Sequence, residues 1–461
     1  MLQMNFLRIS IVFSCIILAS CRVIKPEAPS TVKELALQTT SIASNINIPI
    51  EIDLNPYFKL AEQTVNTQFE GSDHPCEGLR YYYKFIRSPF NISGIKDMIN
   101  LSFEGQYQIK GNYCAKCIND RCLLPSPTFS CGFDEPMRRI SIGYASKINL
   151  LPNYRLQSST SLVKAEATDK CTISFIHVDI TNKLMKEIKN QLDILGKNVD
   201  EQVYAYDIKP MMKDIWNQLT EVQKVEELGY LTLNPSSISI SDVMLNGSKL
   251  NIKLGLTCHP FFSVGKIASK PTNLPDLSDN TLQNGFSVYT DVKADYKDLT
   301  EILNGKLKGY SLNIKRKKIM ISNLKIEGIG NSSISLKVDF KGSQKGAMYF
   351  IGTPNFDTSN NTLTIPDLSF ELKSKNMLMK MASWLLNDKI TEKIKSAAIF
   401  DLTPLITDAK NSLQNQLNRN LTNNVQMKGL VNTFSIQQIS THSEAMSLRL
   451  LSSGEINIRI K

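Results

Sequence analysis

The chain repeats itself, and a duplicated pattern limits the fold more than any composition figure, because each copy must build the same elements in the same order. Ile48-Pro-Ile-Glu-Ile-Asp-Leu54 leads through Asn55-Pro56 into a helical run reaching Phe69 and Gly71. At a shift of 238 residues, Phe286-Ser-Val-Tyr-Thr-Asp-Val292 leads into a helical run ending at Leu307 and Gly309. Phe58, Ala61, Val65 and Phe69 then fall on Tyr296, Leu299, Leu303 and Leu307, a spacing that marks one helix face. A second block, Asp207-Ile-Lys-Pro210 through Leu219, aligns with Asp401-Leu-Thr-Pro404 through Leu413 at a shift of 194. Asp before a helix satisfies its free N–H groups, and Pro fits the first turn. A third block carries Ile238, Ile240, Val243, Leu250, Ile252 and Leu254 onto Phe434, Ile436, Ile439, Met446, Leu448 and Leu450 at a shift of 196.

The shift falls from 238 to 194, so the first half holds 44 extra residues, in an interval that contains a cysteine cluster. Lys270-Pro271-Thr-Asn-Leu-Pro275, with polar residues to Gly285, marks the break between halves. The predicted division is 1–20 export signal, 21–45 lipidated cysteine and tether, 46–270 first unit, 271–285 linker and 286–461 second unit. Ile99-Leu101-Phe103, Ile334-Leu336-Val338-Phe340, Leu368-Phe370-Leu372 and Ile456-Ile458-Ile460 alternate with polar residues. That period predicts antiparallel sheets with one covered face. Each half reads as a sheet covered by amphipathic helices, an α+β unit.

A short leader ends at Arg8, an apolar run follows from Ile9 to Leu18, and Leu18-Ala19-Ser20-Cys21 closes the segment. This is a secretory signal with a cleavage site, too short to span a membrane. The tetrad resembles the lipobox of bacterial lipoproteins, which implies that Cys21 is acylated and residues 1–20 are removed; the other reading is an ordinary signal peptide with a chance cysteine. Several acyl chains hold a protein firmly where one, with K on the order of 10⁴ M⁻¹, does not. Arg22 in place of Asp directs this class to the outer membrane of the bacterial envelope. Removing Arg8 takes the net charge from +10 to +9, spread along the chain, with one dense run at Lys315-Arg316-Lys317-Lys318. A diffuse basic surface favours anionic lipid head groups, and no nucleic-acid partner is expected.

Seven further cysteines are Cys76, Cys114, Cys117, Cys122, Cys131, Cys171 and Cys258. Spacing alone leaves zinc and disulfides open for the cluster at 114–131; export to an oxidising compartment favours disulfides among Cys76, Cys114, Cys117, Cys122, Cys131 and Cys171. Their pairing is not legible. An odd total leaves at least one thiol free or paired elsewhere, and Cys258, in a strand-like run, reads as a small buried hydrophobe. The four histidines stand at no ligand spacing, and no metalloprotease, nucleophile-elbow or phosphate-loop motif occurs. No metal, no cofactor and no catalytic residue are predicted; the protein reads as a non-enzyme.

A lipoprotein with two sheet-and-helix halves resembles the tubular lipid-binding superfamily that includes bactericidal/permeability-increasing protein. More closely, it resembles the bacterial lipoproteins of domain of unknown function 4403. The residues that carry this are Ile48-Pro-Ile-Glu-Ile, Cys76-Glu-Gly with Arg80 and Arg87, Cys131-Gly132, Asp169-Lys-Cys171, Asp179-Ile-Thr181, Leu274-Pro-Asp-Leu277, and Gly352-Thr-Pro354 with Asp357. The resemblance implies two tandem tubular units, each a curved antiparallel sheet wrapped around long amphipathic helices, with a hydrophobic groove between them. Groove candidates are Phe58, Ala61, Val65, Phe69, Tyr296, Leu299, Leu303 and Leu307, with Ile208, Met211, Ile215, Leu402 and Leu405 from the later helices. Two functions follow: a carrier of lipid or another hydrophobic small molecule, or a solid structural lipoprotein that docks onto an envelope protein.

Overall fold

Long runs of period-2 alternation make strands the dominant element. The computed structural model describes residues 28–31, 41–173, 178–225, 229–241, 243–268, 270–279, 282–314, 317–343, 345–371, 396 and 399–460. The first half contains β1 (Ser44–Asp53), α1 (Asn55–Thr64), β2 (Gln68–Asp73), β3 (Gly78–Arg87), β4 (Asn91–Lys96), β5 (Met98–Cys114), β6 (Arg138–Leu150) and β7 (Leu156–Ala167). Two helices follow, α2 (Thr181–Ala205) and α3 (Lys209–Thr220), then β8 (Pro235–Ile240), β9 (Lys249–Cys258) and β10 (Phe261–Ser263). The second half has β11 (Gly285–Asp295), α4 (Tyr296–Leu307), β12 (Lys317–Gly330), β13 (Ser333–Gly342), α5 (Thr403–Gln416), β14 (Val425–Thr441) and β15 (Ala445–Ile460).

Strand register carries the repeat. Adding 196 to both partners of Ile238↔Leu256 gives Phe434↔Ser452, and adding it to Pro235↔Cys258 gives Val431↔Gly454; all four pairings occur. The irregularity repeats too, between Pro235 and Ser237 and again between Val431 and Thr433. β1 meets β9 through Ile50↔Ile252, and β11 meets β15 through Val292↔Leu448. With β9 mapped to β15 at 196, β1 therefore maps to β11 at 242, not at the 238 read from apolar positions. The last strand of each copy also crosses to the first strand of the other. β10 pairs parallel with β11 at Phe261↔Asp291, and β15 with β1 at Ile50↔Ile458. The same shifts of 196 and 242 convert the first of these registers into the second.

The expected α+β architecture of two tubular units is overturned. Among the described residues the chain is mostly β, and its five helices have 10, 25, 12, 12 and 14 residues, so only α2 is long. Instead of a sheet wrapped around long helices in each half, one mixed 19-stranded sheet draws strands from both halves, with a separate 5-stranded sheet in the second. β10 pairs with β11 and β15 with β1 across the halves, so the two copies share one sheet instead of each closing its own.

α1 stops at Thr64, short of the predicted Phe69, which lies in β2. Arg87 takes the carbonyls of Glu62, Val65 and Asn66 as acceptors, and chain entering β2 replaces the next helical turn. Helix starts follow one local rule. Asp53, Asp207 and Asp401 each accept from the backbone N–H two residues on, at 3.0, 2.9 and 2.9 Å, and each stands three before a proline. The carboxylate sits one residue before the N-cap position, where it satisfies a donor the helix cannot. The stretch predicted as a linker packs on the first half: Leu277 is buried beside Tyr154 and Trp216, and the Tyr154 hydroxyl donates to Pro275 O at 2.6 Å. Around the basic run, Ile314 pairs with Lys317; Lys315 and Arg316 lie outside the described residues.

Candidate functional site: an apolar groove under one helix

β3, β5, β6 and β7 pair antiparallel in that order. Because side chains alternate, one face collects Leu79, Tyr81, Tyr83 and Phe85 from β3, Ile99, Leu101, Phe103, Tyr107 and Ile109 from β5, and Ile140, Ile142, Tyr144 and Ile148 from β6. The residues between them on β5, such as Asn100, Ser102, Glu104 and Gln106, face away. α2 lies over this face with Leu184, Ile188, Leu192, Leu195, Val199 and Val203 turned down at helical spacing. Sheet and helix do not close completely. A cavity of about 720 Å³ remains between them, within the roughly 300–1,000 Å³ of small-molecule sites.

Two attachments set the width of this groove. At one end Leu184 and Met185 are buried against the sheet, beside the Cys131–Cys171 disulfide. At the other, Asp200 of α2 accepts from the Ser158 hydroxyl at 2.6 Å, the Thr160 N–H at 2.9 Å and the Thr160 hydroxyl at 2.7 Å. Burial alone would raise the Asp200 pKa, but these hydrogen bonds outweigh it and hold the carboxyl below its usual range. Between the two, the Tyr144 hydroxyl donates to Leu192 O at 3.0 Å, and burial pushes its pKa up to about 12, with Asp193 adding to the effect. Ile194, Leu195 and Val199 line the groove yet are about half exposed, so this end opens to solvent.

α1 and β2 form the side wall. Phe58, Val65 and Phe69 line the groove, with the Phe69 ring 6.3 Å from that of Phe85. Arg87 also borders it, but its guanidinium is committed elsewhere. It donates to the Glu62 carboxylate at 2.9 Å and to the carbonyls of Glu62, Val65, Asn66 and Ser88, and it lies 3.9 Å over the Phe90 ring. Hydrogen bonds from the Phe90 N–H and from Arg87 lower the Glu62 pKa. Arg87 is thus a joint between α1 and β3, not a free cation for a ligand.

The other groove candidates lie elsewhere. Ala61 is on α1 but is not one of the lining side chains. Ile208 packs against a closed core around Trp216. Met211, Ile215 and Leu405 are exposed on the outer surface, and Leu402 is half-buried at the start of α5. Tyr296, Leu299 and Leu303 pack with Ile326 and Ile334, and Leu307 is partly exposed at the end of α4. A second cavity of about 1090 Å³ beside Tyr296 is lined by Lys293, Lys297, Lys325, Glu327 and the Arg449–Asp291 pair, so it is charged where the first is apolar. The lining that sequence reasoning missed is the face of α2. Its signal was available as apolar residues at 184, 188, 192, 195, 199 and 203.

Several residues that carried the resemblance are joints. Arg80 donates to the carbonyls of Pro75 and Cys76, Asp179 accepts from Thr181 N, and Asp169 pairs with Arg139 at 2.9 Å. The disulfides are Cys76–Cys117, Cys114–Cys122 and Cys131–Cys171, with Cα atoms 5.5, 5.8 and 5.7 Å apart. Cys258 is a buried free thiol whose pKa burial raises to about 11. His442 Nε2 lies 3.0 Å from the Ser447 hydroxyl. Among the described residues no group of three or more His, Cys, Asp or Glu is placed to hold a metal, and no helix is long and apolar enough to cross a membrane. Cys21 lies outside the described residues.

The family model described as "Domain of unknown function (DUF4403)" matches residues 43–460. No curated protein matches the chain. Among solved structures, a crystal structure of lipopolysaccharide binding protein is similar at 12% identity, over 91% of this chain and 98% of that one, with a TM-score of 0.24.

Proposed function

The chain belongs to the DUF4403 family, and within that frame we propose that it binds a lipid or similar hydrophobic small molecule in the groove beneath α2. The observation that carries this reading is the lining. Aromatic and aliphatic side chains surround about 720 Å³ of open volume, and large apolar residues of α2 stay half exposed at the open end. A folded protein normally buries such a face, and leaving it uncovered costs stability unless something fills it. Burial of ligand surface at roughly 25 cal/mol per Å² supplies the affinity, and no catalytic group is needed. In this reading the protein is not an enzyme.

The proposal extends to its place in the cell. The Leu18-Ala19-Ser20-Cys21 tetrad supports cleavage before Cys21, acylation of that residue, and residence in the bacterial envelope at the outer membrane. Anchored chains would hold the groove near its source of lipid.

The test is direct. Purified protein is extracted with organic solvent and the extract is analysed by mass spectrometry, and empty protein is titrated with 1-N-phenylnaphthylamine. A bound hydrophobic compound and saturable fluorescence are expected. Leu195→Glu, which puts a charge on a half-exposed lining position, should abolish uptake without unfolding the chain. Protein free of any such compound, and blind to the probe, would sink the reading and leave docking onto an envelope protein as the better account.

A further inference from the structure

Most of the groove's inner face is apolar, but its closed end is not. Tyr107 stands on the inward face of β5, lines the groove and is only 4% exposed, and its hydroxyl has no hydrogen-bond partner among the described residues. Directly opposite it in register on β6 is Arg138, whose buried Nε also lacks a partner among the described residues. Buried polar groups are nearly always satisfied in folded proteins. Two adjacent exceptions, one of them on the wall of a cavity, share a need: Arg138 Nε can only donate, the Tyr107 hydroxyl can donate as well as accept, and an acceptor is the one group that serves both.

We infer that the closed end of the groove receives an oxygen acceptor, so that the ligand is a single-chain amphiphile that enters with its carbonyl or carboxyl end leading. This rests on the groove being a ligand site. Direction follows from exposure along α2. Leu184 and Met185 are buried near Tyr107, whereas Ile194, Leu195 and Val199 are half exposed at the far end. A ligand enters where the helix is open, and its leading terminus reaches the phenol while the chain lies along the apolar wall. Fixed charges at that end cancel in pairs, Arg138 with Glu135 at 2.5 Å and Arg139 with Asp169 at 2.9 Å. The pocket end therefore selects for an acceptor and not for net charge, and a fatty acid and a fatty ester both qualify.

Tyr107→Phe removes the hydroxyl and nothing else. Displacement of 1-N-phenylnaphthylamine from the full chain by palmitic acid, methyl palmitate and hexadecane separates the possibilities. Tyr107→Phe should weaken palmitic acid, methyl palmitate or both by about five- to tenfold, the worth of one hydrogen bond, and leave hexadecane unchanged. Loss confined to the acid identifies the carboxyl, and shared loss identifies the carbonyl. Because the hydroxyl has no partner among the described residues, the variant's Tm should not fall. Equal binding of all three compounds, or a lowered Tm, overturns the inference while leaving the groove intact, as Leu195→Glu would confirm by losing every compound. A wild-type chain that takes up no probe overturns both.

Discussion

Asn45 and Ser287 face one another in antiparallel register, and each is the counterpart of the other at the shift of 242 that relates β1 to β11. A pair made of two equivalent residues lies on a two-fold axis relating the copies, as at an isologous dimer interface. Both are exposed, and directly opposed residues of an antiparallel pair stand at a spacing a disulfide can bridge. Asn45→Cys with Ser287→Cys should therefore cross-link within one chain and raise Tm, with a gain of about 2–4 kcal/mol for closing so long a loop. Non-reducing electrophoresis and thermal denaturation read the result. Failure to cross-link under oxidising conditions would mean that the copies do not meet at this pair.

That axis also explains a misreading. Aligning apolar positions placed the first block at 238, four residues from the 242 that register demands. A slip of four keeps strand faces unchanged, because their period is two, and nearly preserves a helix face, because its period is 3.6. Hydrophobic pattern is almost blind to such an error; hydrogen-bond register is not. Helix starts at Asp207 and Asp401 were legible because aspartate and proline act within one turn. The pairing of β10 with β11 and of β15 with β1 across the halves was not, since no local pattern says which strand lies beside another. The groove was half legible. Phe58 on α1, Val65 just past its end and Phe69 on β2 were found, but its roof, α2, has no counterpart among the aligned blocks.

Stability should depend on pH through Asp169. Its side-chain hydrogen bond with Arg139, aided by the Arg139 N–H, lowers its pKa to about 2. An unfolded aspartate titrates near 3.9, so between about pH 4 and 2 the unfolded chain binds more protons than the folded one. The contribution is therefore complete above about pH 4 and is lost as pH falls through 2. Asp169→Asn should lower Tm at pH 7, and the gap from wild type should narrow below pH 4. A gap that stays constant from pH 7 to 2 would show that the ion pair is not its source.

Cysteine chemistry offers a second check. Peptide mapping without reduction should recover Cys76–Cys117, Cys114–Cys122 and Cys131–Cys171. Cys258, fully buried with a pKa near 11, holds almost no thiolate at pH 8 and should react with a maleimide only after denaturation. Serine pairs should rank by what they release. Losing Cys131–Cys171, separated by 40 residues, should cost more than losing Cys114–Cys122, separated by 8, within a range of about 2–5 kcal/mol. Reversal of that order, or ready labelling of Cys258 in the native protein, would contradict the arrangement.

Two glycines on opposite sides of the groove should respond oppositely to alanine. Gly196 sits on the underside of α2, where an added Cβ would meet Thr160 Cγ2 at 3.5 Å and Tyr144 Cε1 at 3.7 Å, ordinary contacts. Alanine lowers the entropy lost by a helical glycine, so Gly196→Ala should stabilise the protein by about 0.5–1 kcal/mol. Gly105 lies in β5 against the Phe85 ring, and a Cβ there would collide with Cε2 and Cζ. The ring's free direction is the groove it already lines, so Gly105→Ala should cost about 1–3 kcal/mol through overpacking and reduce probe uptake by narrowing the cavity. Thermal denaturation and 1-N-phenylnaphthylamine titration measure both effects. Loss of stability at Gly105 with uptake unchanged would show that Phe85 moves elsewhere and that its ring does not set the width of the site.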